Sequence, residues 1–310
     1  MRLLNAFTAS DNNKVLFILS AIHGNEPAGV LAWKRFMKVS RKVKFQLNGL
    51  VVAYIGNNEA YKKNVRFINE DMNRLFASEN IWALDDKKKL HAEEKAVFKI
   101  VGSIKQILIA RAMELNTPCE GILLDIHTTS AQSAPFCVVT SDFASDFWTG
   151  TLGVPVIHGL DKKMGSNSLI SFFNPENLVI KTHALIVEAG QHASTDAVDF
   201  AYQCIIKTML VFDLMNEETA SNFLSSSENL ESAHQTSDSE IPASLELVYR
   251  HALKPQDIFE MQPNFKNFDR VTTQTLLAHQ NGKPIYSPLN AYLLMPLYQK
   301  QGSDGFFLVK

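Results

Sequence analysis

The chain has 310 residues, of which 46% are hydrophobic and 20% charged, and its formal net charge is −2. This length and composition predict an ordinary globular protein with a sizeable core, in one large domain or in a large and a small one. The near-neutral charge gives no reason to expect nucleic acid or an anionic membrane as a partner. Three widely spaced cysteines argue against a disulfide framework and against a thiolate zinc site.

The sequence shows no targeting segment. Met1–Ser10 lacks the long apolar stretch of a signal peptide, and nowhere do 18 apolar residues follow one another without interruption. A cytoplasmic location is therefore the default expectation. The oligomeric state stays open at this point, and a homo-oligomer is compatible with the sequence.

The first two-thirds of the chain alternate strand-like and helix-like segments. Val15–Ala21 is a continuous apolar run, typical of a strand buried on both faces, and Pro27 suits the first turn of a following helix. A polar stretch from Gly56 to Ser78 is too irregular to predict an element. The alternation predicts an α/β layered sheet with mixed strand directions. The remaining predicted elements are strands at Leu50–Ile55, Gly121–His127, Phe136–Thr140, Val154–His158 and Ala184–Glu188, and helices at Asp85–Leu115 and Thr195–Leu214.

The composition changes after Met215. Residues 217–240 are dominated by Ser, Glu, Asn and Thr, which predicts a polar linker or exposed loop. In residues 241–310, short β-like segments are separated by the turn sequences NGKP and GSDG. The predicted organisation is a large α/β domain over residues 1–216, the polar segment 217–240, and a small β domain over residues 241–310.

The sequence His23-Gly24-Asn25-Glu26 comes directly after the first buried strand. Catalytic groups in open α/β sheets collect at the carboxyl ends of strands. An imidazole and a carboxylate three residues apart can reach one cation from a tight loop, and Gly24 lets the backbone turn without a Cβ clash. The alternative is a turn stabilised by side-chain hydrogen bonds alone.

A catalytic zinc usually keeps three protein ligands and a water. His127, at the end of the apolar run Leu123–Ile126, is the best candidate for the third ligand. Two histidines and a carboxylate would hold one Zn²⁺ that polarises a water or a carbonyl, although cobalt or manganese also suits this set. Asp125 is assigned to the opposite face of the strand and to a supporting role rather than to the metal.

Two further segments carry candidate catalytic groups. Glu188 ends the strand-like segment ALIVE and is positioned to deprotonate a water and to protonate a leaving nitrogen; the alternative is a buried glutamate paired with a cation. Asn73 and Arg74, adjacent in the polar stretch, can bind a substrate carboxylate; the alternative is a solvated loop with its own salt bridges. His192, four residues after Glu188, is assigned an ordinary polar role; the alternative is a residue that lines a cleft.

In combination, these segments resemble the succinylglutamate desuccinylase/aspartoacylase family, a branch of the carboxypeptidase A-like zinc hydrolases. The matching segments occur in the family order over about 170 residues. They are HGNE at His23–Glu26, RFINEDMNR at Arg66–Arg74, LDIHTTS at Leu124–Ser130 and VEAGQH at Val187–His192. The resemblance implies a three-layer α/β/α zinc-carboxypeptidase-like domain with a mixed sheet, and a small C-terminal β domain near the active-site mouth.

The resemblance also implies roles for individual residues. Glu188 would promote the attack of water, Arg66 would stabilise the oxyanion, and Asn73 with Arg74 would hold a substrate carboxylate. The ligands of one Zn²⁺ per chain would be His23, Glu26 and His127. The implied activity is hydrolysis of the amide bond of small N-acyl amino acids, and a zinc carboxypeptidase acting on peptides is the alternative.

Two positions of the implied site are less well defined. Lys181 is a candidate for a cation that binds a second substrate carboxylate. A catalytic tyrosine would be one of Tyr286, Tyr292 and Tyr298, which the sequence does not distinguish.

Overall fold

The computed structural model describes residues 1–9, 12–76, 90–139, 151–160, 167–226 and 241–310. Within these ranges the strands form a mixed sheet in the order β1-β3-β2-β4-β7-β5-β6-β8-β14-β13-β10, and a second sheet in the order β12-β11-β9. The strands are β1 Arg2–Ala9, β2 Lys14–Ser20, β3 Gly49–Ile55, β4 Glu120–Thr129, β5 Phe136–Val139, β6 Val156–His158, β7 Lys181–Gln191, β8 Ser244–Ala252, β9 Phe259–Met261, β10 Arg270–Val271, β11 Leu276–Gln280, β12 Lys283–Tyr286, β13 Ala291–Leu294 and β14 Asp304–Val309.

Strands β3, β2, β4 and β7 run parallel at the centre of the large sheet, whereas β1 and β5 run antiparallel to their neighbours β3 and β7. The predicted mixed sheet is therefore confirmed. The helices are α1 Ala28–Val39, α2 Asn58–Lys63, α3 Ala92–Leu115, α4 Leu169–Phe172, α5 Pro175–Leu178, α6 Thr195–Val211 and α7 Glu217–Ser225, with a 3₁₀ turn at Met72–Arg74.

The continuous apolar sequence of β2 reflects burial on both faces of the sheet. Leu16 and Ile18 belong to a core that α1 and α6 cover, while Phe17 and Leu19 belong to a second core that α3 covers. Successive side chains of a strand point to opposite faces, so a strand between two helical layers needs apolar residues at every position. The three-layer arrangement follows from this burial.

The C-terminal strands continue the large sheet. β8 pairs parallel with β6, and β14, β13 and β10 follow in antiparallel order, while β9, β11 and β12 form the separate small sheet. Because β6 pairs directly with β8, strands β8, β14, β13 and β10 extend the edge of the large sheet. The division into two domains at residues 217–240 stays a prediction.

The polar segments hold more helix than the sequence predicted. Gly56–Ser78 contains the helix α2. Asn57 caps the N-terminus of this helix, because its side chain accepts a hydrogen bond from the Ala60 amide. Residues 217–240 begin with α7, so the prediction of a linker is wrong for its first part. The reason is that α7 is amphipathic and buries Phe223 despite its polar composition.

Two helix boundaries also differ. The helix predicted from Asp85 is observed from Ala92, and the predicted residues up to 89 lie outside the described residues. The helix predicted to Leu214 ends at Val211, and Thr140 and residues 227–240 are also outside the described ranges. Within the part of the chain that the structure covers, no helix has the length and apolar character needed to cross a membrane.

Candidate active site

The predicted site residues come together at the carboxyl ends of the central parallel strands. His23 and Glu26 follow β2, and His127 on β4 is the register partner of Glu188 on β7. Gly24 is required by packing rather than by its own dihedral angles, because a Cβ there would lie 2.2 Å from the Ala60 carbonyl carbon of α2. The loop after β2 is thereby pressed against α2.

Glu26 lies between the two histidines. Its carboxylate oxygens lie 2.8 Å from His23 Nδ1 and 3.1 Å from His127 Nδ1, and one of them also accepts a hydrogen bond from the Thr128 amide. One ligand atom from each of the three side chains can be chosen so that all lie within 4.8 Å of one another. Burial alone would raise the pKa of Glu26, but the charge of His23 and the hydrogen bonds of both histidines hold it well below its ordinary value.

The other ring nitrogen of each histidine faces a carboxylate. His23 Nε2 lies 3.1 Å from Asp71 Oδ1, and His127 Nε2 lies 3.0 Å from Asp125 Oδ2. The placement of Asp125 on the opposite strand face is therefore wrong: residues two apart on a strand share a face. Carboxylates in these positions fix the tautomer and orientation of a ligating imidazole.

Arg66 is buried beside this cluster. Its guanidinium donates to Asp71 at 2.9 Å and to Glu26 at 3.5 Å, while its Nε has no hydrogen-bond partner among the described residues. Burial would lower the pKa of Arg66, but the two carboxylates raise it, so the group stays charged. The fixed cation therefore has donor groups beyond those that contact the two carboxylates.

Glu188 is 8% exposed, and its Oε2 has no hydrogen-bond partner among the described residues. Burial raises the pKa of Glu188 to about 8. The negative charges of Glu26 and Asp125 also raise this pKa, whereas the positive charges of His127 and Arg66 lower it. A carboxyl group with this pKa can exchange a proton near neutral pH, as a general acid or base must.

Asn73 and Arg74 lie on the same cleft. Asn73 Oδ1 accepts from the Leu169 amide, and Arg74 donates to Asp304 at 2.8 Å, at the start of β14. Arg250 donates to the other oxygen of Asp304 at 2.6 Å. The expected carboxylate-binding arginine is therefore already in contact with a carboxylate of the protein.

Further residues at or beside the cleft were not predicted as site residues. His192, assigned an ordinary role, connects Thr128 at 2.7 Å to Gln299 at 3.3 Å, and Gln299 also accepts from Asn25. Asp71 had a signal in the sequence, since it is a carboxylate inside the family-like segment of Arg66–Arg74. Asp304 and Gln299 had none, because their approach to the cleft depends on the pairing of β14 with β8.

The remaining candidates lie elsewhere. Lys181 is at the amino end of β7, opposite to Glu188, where it pairs with Glu120 at 3.0 Å, so it is not part of the site. Tyr298 Oη donates to the Gln262 carbonyl, and Tyr286 is 51% exposed. Among the described residues, none of the three candidate tyrosines lines the cleft, whose cavity is about 110 Å³.

The cluster fits a zinc ion chemically. Two imidazoles and one carboxylate are a donor set that catalytic zinc uses, and each imidazole has a carboxylate behind it. Glu26 is held ionised, as a ligand must be. His23, Glu26 and His127 would hold the ion.

The fold and the cluster together define a class. The protein is an α/β protein of zinc-carboxypeptidase-like architecture, with a candidate metal centre at the carboxyl ends of its central strands. Residues 12–204 match the catalytic domain of succinylglutamate desuccinylase/aspartoacylase. The chain belongs to this family, as the sequence motifs predicted.

Relatives and solved structures agree with this assignment. A probable aspartoacylase from Prochlorococcus marinus is 32% identical over 156 residues, which cover 48% of this chain and 48% of the relative. A succinylglutamate desuccinylase from Pseudomonas paraeruginosa is 35% identical over 68 residues, 22% of this chain and 20% of that protein. The match thus spans about half the length of the curated aspartoacylase relative.

The solved structures confirm the predicted fold class. Succinylglutamate desuccinylase from Chromobacterium violaceum superposes with a TM-score of 0.62 at 15% identity, covering 97% of this chain and 85% of that one. Murine aminoacylase 3 gives a TM-score of 0.60 at 12% identity, covering 97% and 95%. At these identities the likeness concerns the fold alone.

Proposed function

We propose that the protein is a zinc-dependent hydrolase that cleaves the amide bond of small N-acyl amino acids. The observation that carries this proposal is the cluster of His23, Glu26 and His127 within 4.8 Å, with Glu188 and Arg66 lining the same cleft. Membership of the family supports amide hydrolysis. The similarity to a probable aspartoacylase supports an N-acylated amino acid as the substrate.

A bound Zn²⁺ supplies Lewis acidity, which makes a water more acidic and a carbonyl more electrophilic. Glu188 takes the proton from the attacking water and delivers it to the leaving nitrogen, a role that suits its raised pKa. Arg66 stabilises the oxyanion with its positive charge, and Asp71 fixes the guanidinium before the reaction begins, so that little reorganisation is required.

Asn73 and Arg74 bind the substrate carboxylate. Arg74 retains an Nε donor without a hydrogen-bond partner among the described residues, and Asn73 is held through Leu169. A carboxylate at this position would orient the amide relative to Glu188, and such orientation contributes a large part of an enzymatic rate.

The shape of the cleft favours small substrates over peptides. The connection between β13 and β14, including Leu297, Gln299 and Ser303, forms one wall of the cleft, and the cavity is about 110 Å³.

Metal analysis combined with a substrate panel tests the proposal. Purified protein reconstituted with zinc is expected to hold about one ion per chain, and His23→Ala is expected to lose it. The panel contains N-acetyl amino acids, N-succinyl amino acids and peptides. Turnover of peptides alone would identify a carboxypeptidase instead, and absence of both metal and turnover would refute the proposal.

A further inference from the structure

We infer that Arg250 is a positioning residue for substrate recognition: it compensates the charge of Asp304 and so leaves the charge of Arg74 available to the substrate carboxylate. The inference rests on the proposed function, in which Arg74 binds that carboxylate. It deepens that function by giving a residue of the C-terminal strands a part in recognising a free α-carboxylate. Arg250 thereby strengthens the preference of the enzyme for N-acyl amino acids over their neutral carboxamides.

The first argument concerns the contacts of Asp304. Its Oδ2 accepts a hydrogen bond from Arg74 at 2.8 Å, and its Oδ1 accepts one from Nε of Arg250 at 2.6 Å. Asp304 is among the described residues that line the cleft, whereas Arg250 is not. One carboxylate thus joins an arginine of the cleft wall to an arginine outside it. Arg250 therefore acts on a ligand through Asp304 rather than by contact.

The second argument concerns how the fold places Arg250. β14 pairs antiparallel with β8, and Asp304 is the register partner of Ala252. Arg250 precedes Ala252 by two residues, so it lies on the same face of β8 and diagonally opposite Asp304. Long side chains reach such diagonal neighbours. The contact is therefore set by the register of two paired strands.

The third argument concerns charge. The side chains of Arg74, Asp304 and Arg250 are 19%, 11% and 24% exposed, so water and salt screen their charges less than at an open surface. Arg74 and Asp304 by themselves form a neutral pair, which attracts a carboxylate weakly. With Arg250 included, the three groups keep one positive charge, and Arg74 lines the cleft where a ligand can meet it. Such complementarity of charge favours an anionic ligand over a neutral one.

The fourth argument concerns orientation. Nη1 of Arg74 donates to the Asn73 carbonyl at 3.1 Å while Nη2 donates to Asp304, so two acceptors fix the plane of the guanidinium. Asp304 holds that plane because its own position is fixed, and the hydrogen bond from Arg250 helps to fix it. The charge and the orientation that Arg74 offers a substrate therefore both depend on Arg250.

Paired probes test the inference on the zinc-loaded enzyme. They are N-acetylleucine and N-acetylaspartate, each compared with the derivative in which a carboxamide replaces the α-carboxylate. The ratio of kcat/KM for the acid to that for the carboxamide measures the contribution of the α-carboxylate. We expect Arg250→Gln to lower this ratio at least about tenfold, because Asp304 then neutralises Arg74. Acid and carboxamide are measured on one preparation, so a loss of folded protein cancels, and an unchanged ratio would overturn the inference.

A double variant distinguishes charge compensation from a merely structural contact. Arg250→Gln/Asp304→Asn removes the negative charge together with its partner, and the asparagine can still accept a hydrogen bond from Arg74. The ratio is expected to recover at least about threefold from that of Arg250→Gln, because the two substitutions are coupled. Deleting both partners would not restore a structural contact, so a ratio that stays as low as in the single variant contradicts the inference.

The matched control is Lys283→Gln, which removes a positive charge from an exposed position of β12. It is expected to leave the ratio unchanged. A fall equal to that in Arg250→Gln would show that the overall charge of the protein is responsible, and would overturn the role of Arg250.

Binding separates this inference from the proposed function. Titration calorimetry of zinc-loaded Glu188→Gln with the same four compounds reports the preference for the acids without turnover. If the native enzyme hydrolyses none of them, yet Glu188→Gln prefers the acids and loses this preference when Arg250→Gln is added, the inference stands and the proposed reaction fails. Hydrolysis with an unchanged ratio in Arg250→Gln leaves the reaction intact and overturns the inference. Acids that bind no more tightly than their carboxamides also overturn it.

Discussion

At the residue scale, Glu26 organises the site. Its two oxygens meet His23, His127, Arg66 and the Thr128 amide, and it is 2% exposed. A carboxylate so enclosed would ordinarily protonate, but these partners lower its pKa and keep it ionised. The candidate ligand cluster is therefore held together by contacts within the protein.

Replacing Glu188 by glutamine is expected to lower kcat by about a thousandfold, because the amide cannot accept the proton of the attacking water. Zinc content should stay near that of the wild type, since Glu188 is not in the ligand cluster. Steady-state rates and metal analysis of the same sample measure both. Turnover within tenfold of the wild type would show that another group is the base.

Replacing Arg66 by alanine is expected to lower kcat by about a hundred- to a thousandfold, as for other preorganised oxyanion donors. It also leaves Asp71 and Glu26 with an uncompensated buried charge, which costs stability. Arg66→Lys keeps the charge and separates the two effects: it should fold like the wild type and still be slow. Wild-type kcat in the lysine variant would contradict the assignment.

At the element scale, β4 shows how a strand end builds a site. It presents His127 and Asp125 on the same face, and its parallel pairing with β7 sets Glu188 beside His127. The other end of β4 carries Glu120, which pairs with Lys181 on the surface. One strand thus supports the candidate metal centre at its carboxyl end only.

Asp125→Asn is expected to weaken zinc affinity by about 10- to 100-fold, because an amide orients the His127 ring less strongly than a carboxylate does. Glu120→Gln at the opposite end of the same strand is the matched control and should leave the affinity unchanged. Competition with a chromophoric chelator measures both constants. Equal affinities in the two variants would show that Asp125 does not contribute to metal binding.

The helix α7 is a second example at this scale, because it packs into the core although its composition is polar. Phe223 is fully buried and stacks on Phe36 of α1 with ring centroids 4.8 Å apart. Phe223→Ala is expected to lower the free energy of unfolding by about 3–5 kcal/mol through lost burial and a new cavity. Exposed Ser221→Ala on the same helix should change it by less than about 0.5 kcal/mol. Urea denaturation compares the two variants, and equal midpoints would show that the helix does not pack in solution.

At the scale of the whole molecule, the cleft joins distant parts of the chain. Loops after β2 and α2 meet β4, β7 and the segment before β14, and Arg74 is bound to Asp304 across 230 positions of sequence. A ligand that bridges these parts stabilises the entire fold, because it binds only when they are assembled.

Chelation of the metal is therefore expected to lower the unfolding temperature by several degrees. Free zinc at a hundredfold excess over its Kd contributes about 2.7 kcal/mol to stability. Thermal unfolding with and without EDTA measures the shift, and His23→Ala should show none because it cannot hold the ion. An equal shift in this variant would place the metal elsewhere.

The sequence by itself determined the α/β class, the central buried strands, the family and the set of residues that could act on a metal. These features are local. A continuous run of apolar residues predicts a strand buried on both faces, and the motifs HGNE and LDIH can be recognised from their position at the end of such a strand. The helix α7 was missed because its few apolar residues stand among polar ones, although their spacing places them on one face.

The tertiary structure alone decided which groups face one another. Asp71 and Asp125 contact the ring nitrogens of His23 and His127 that face away from Glu26. Lys181 lies at the amino end of its strand, far from the site. Asp304 contacts Arg74, which the sequence had assigned to a substrate carboxylate. Such contacts depend on strand order and register, which join residues up to 230 positions apart. Local sequence patterns carry no information on those pairings, so the contacts among the charged groups of the cleft emerge only from the assembled sheet.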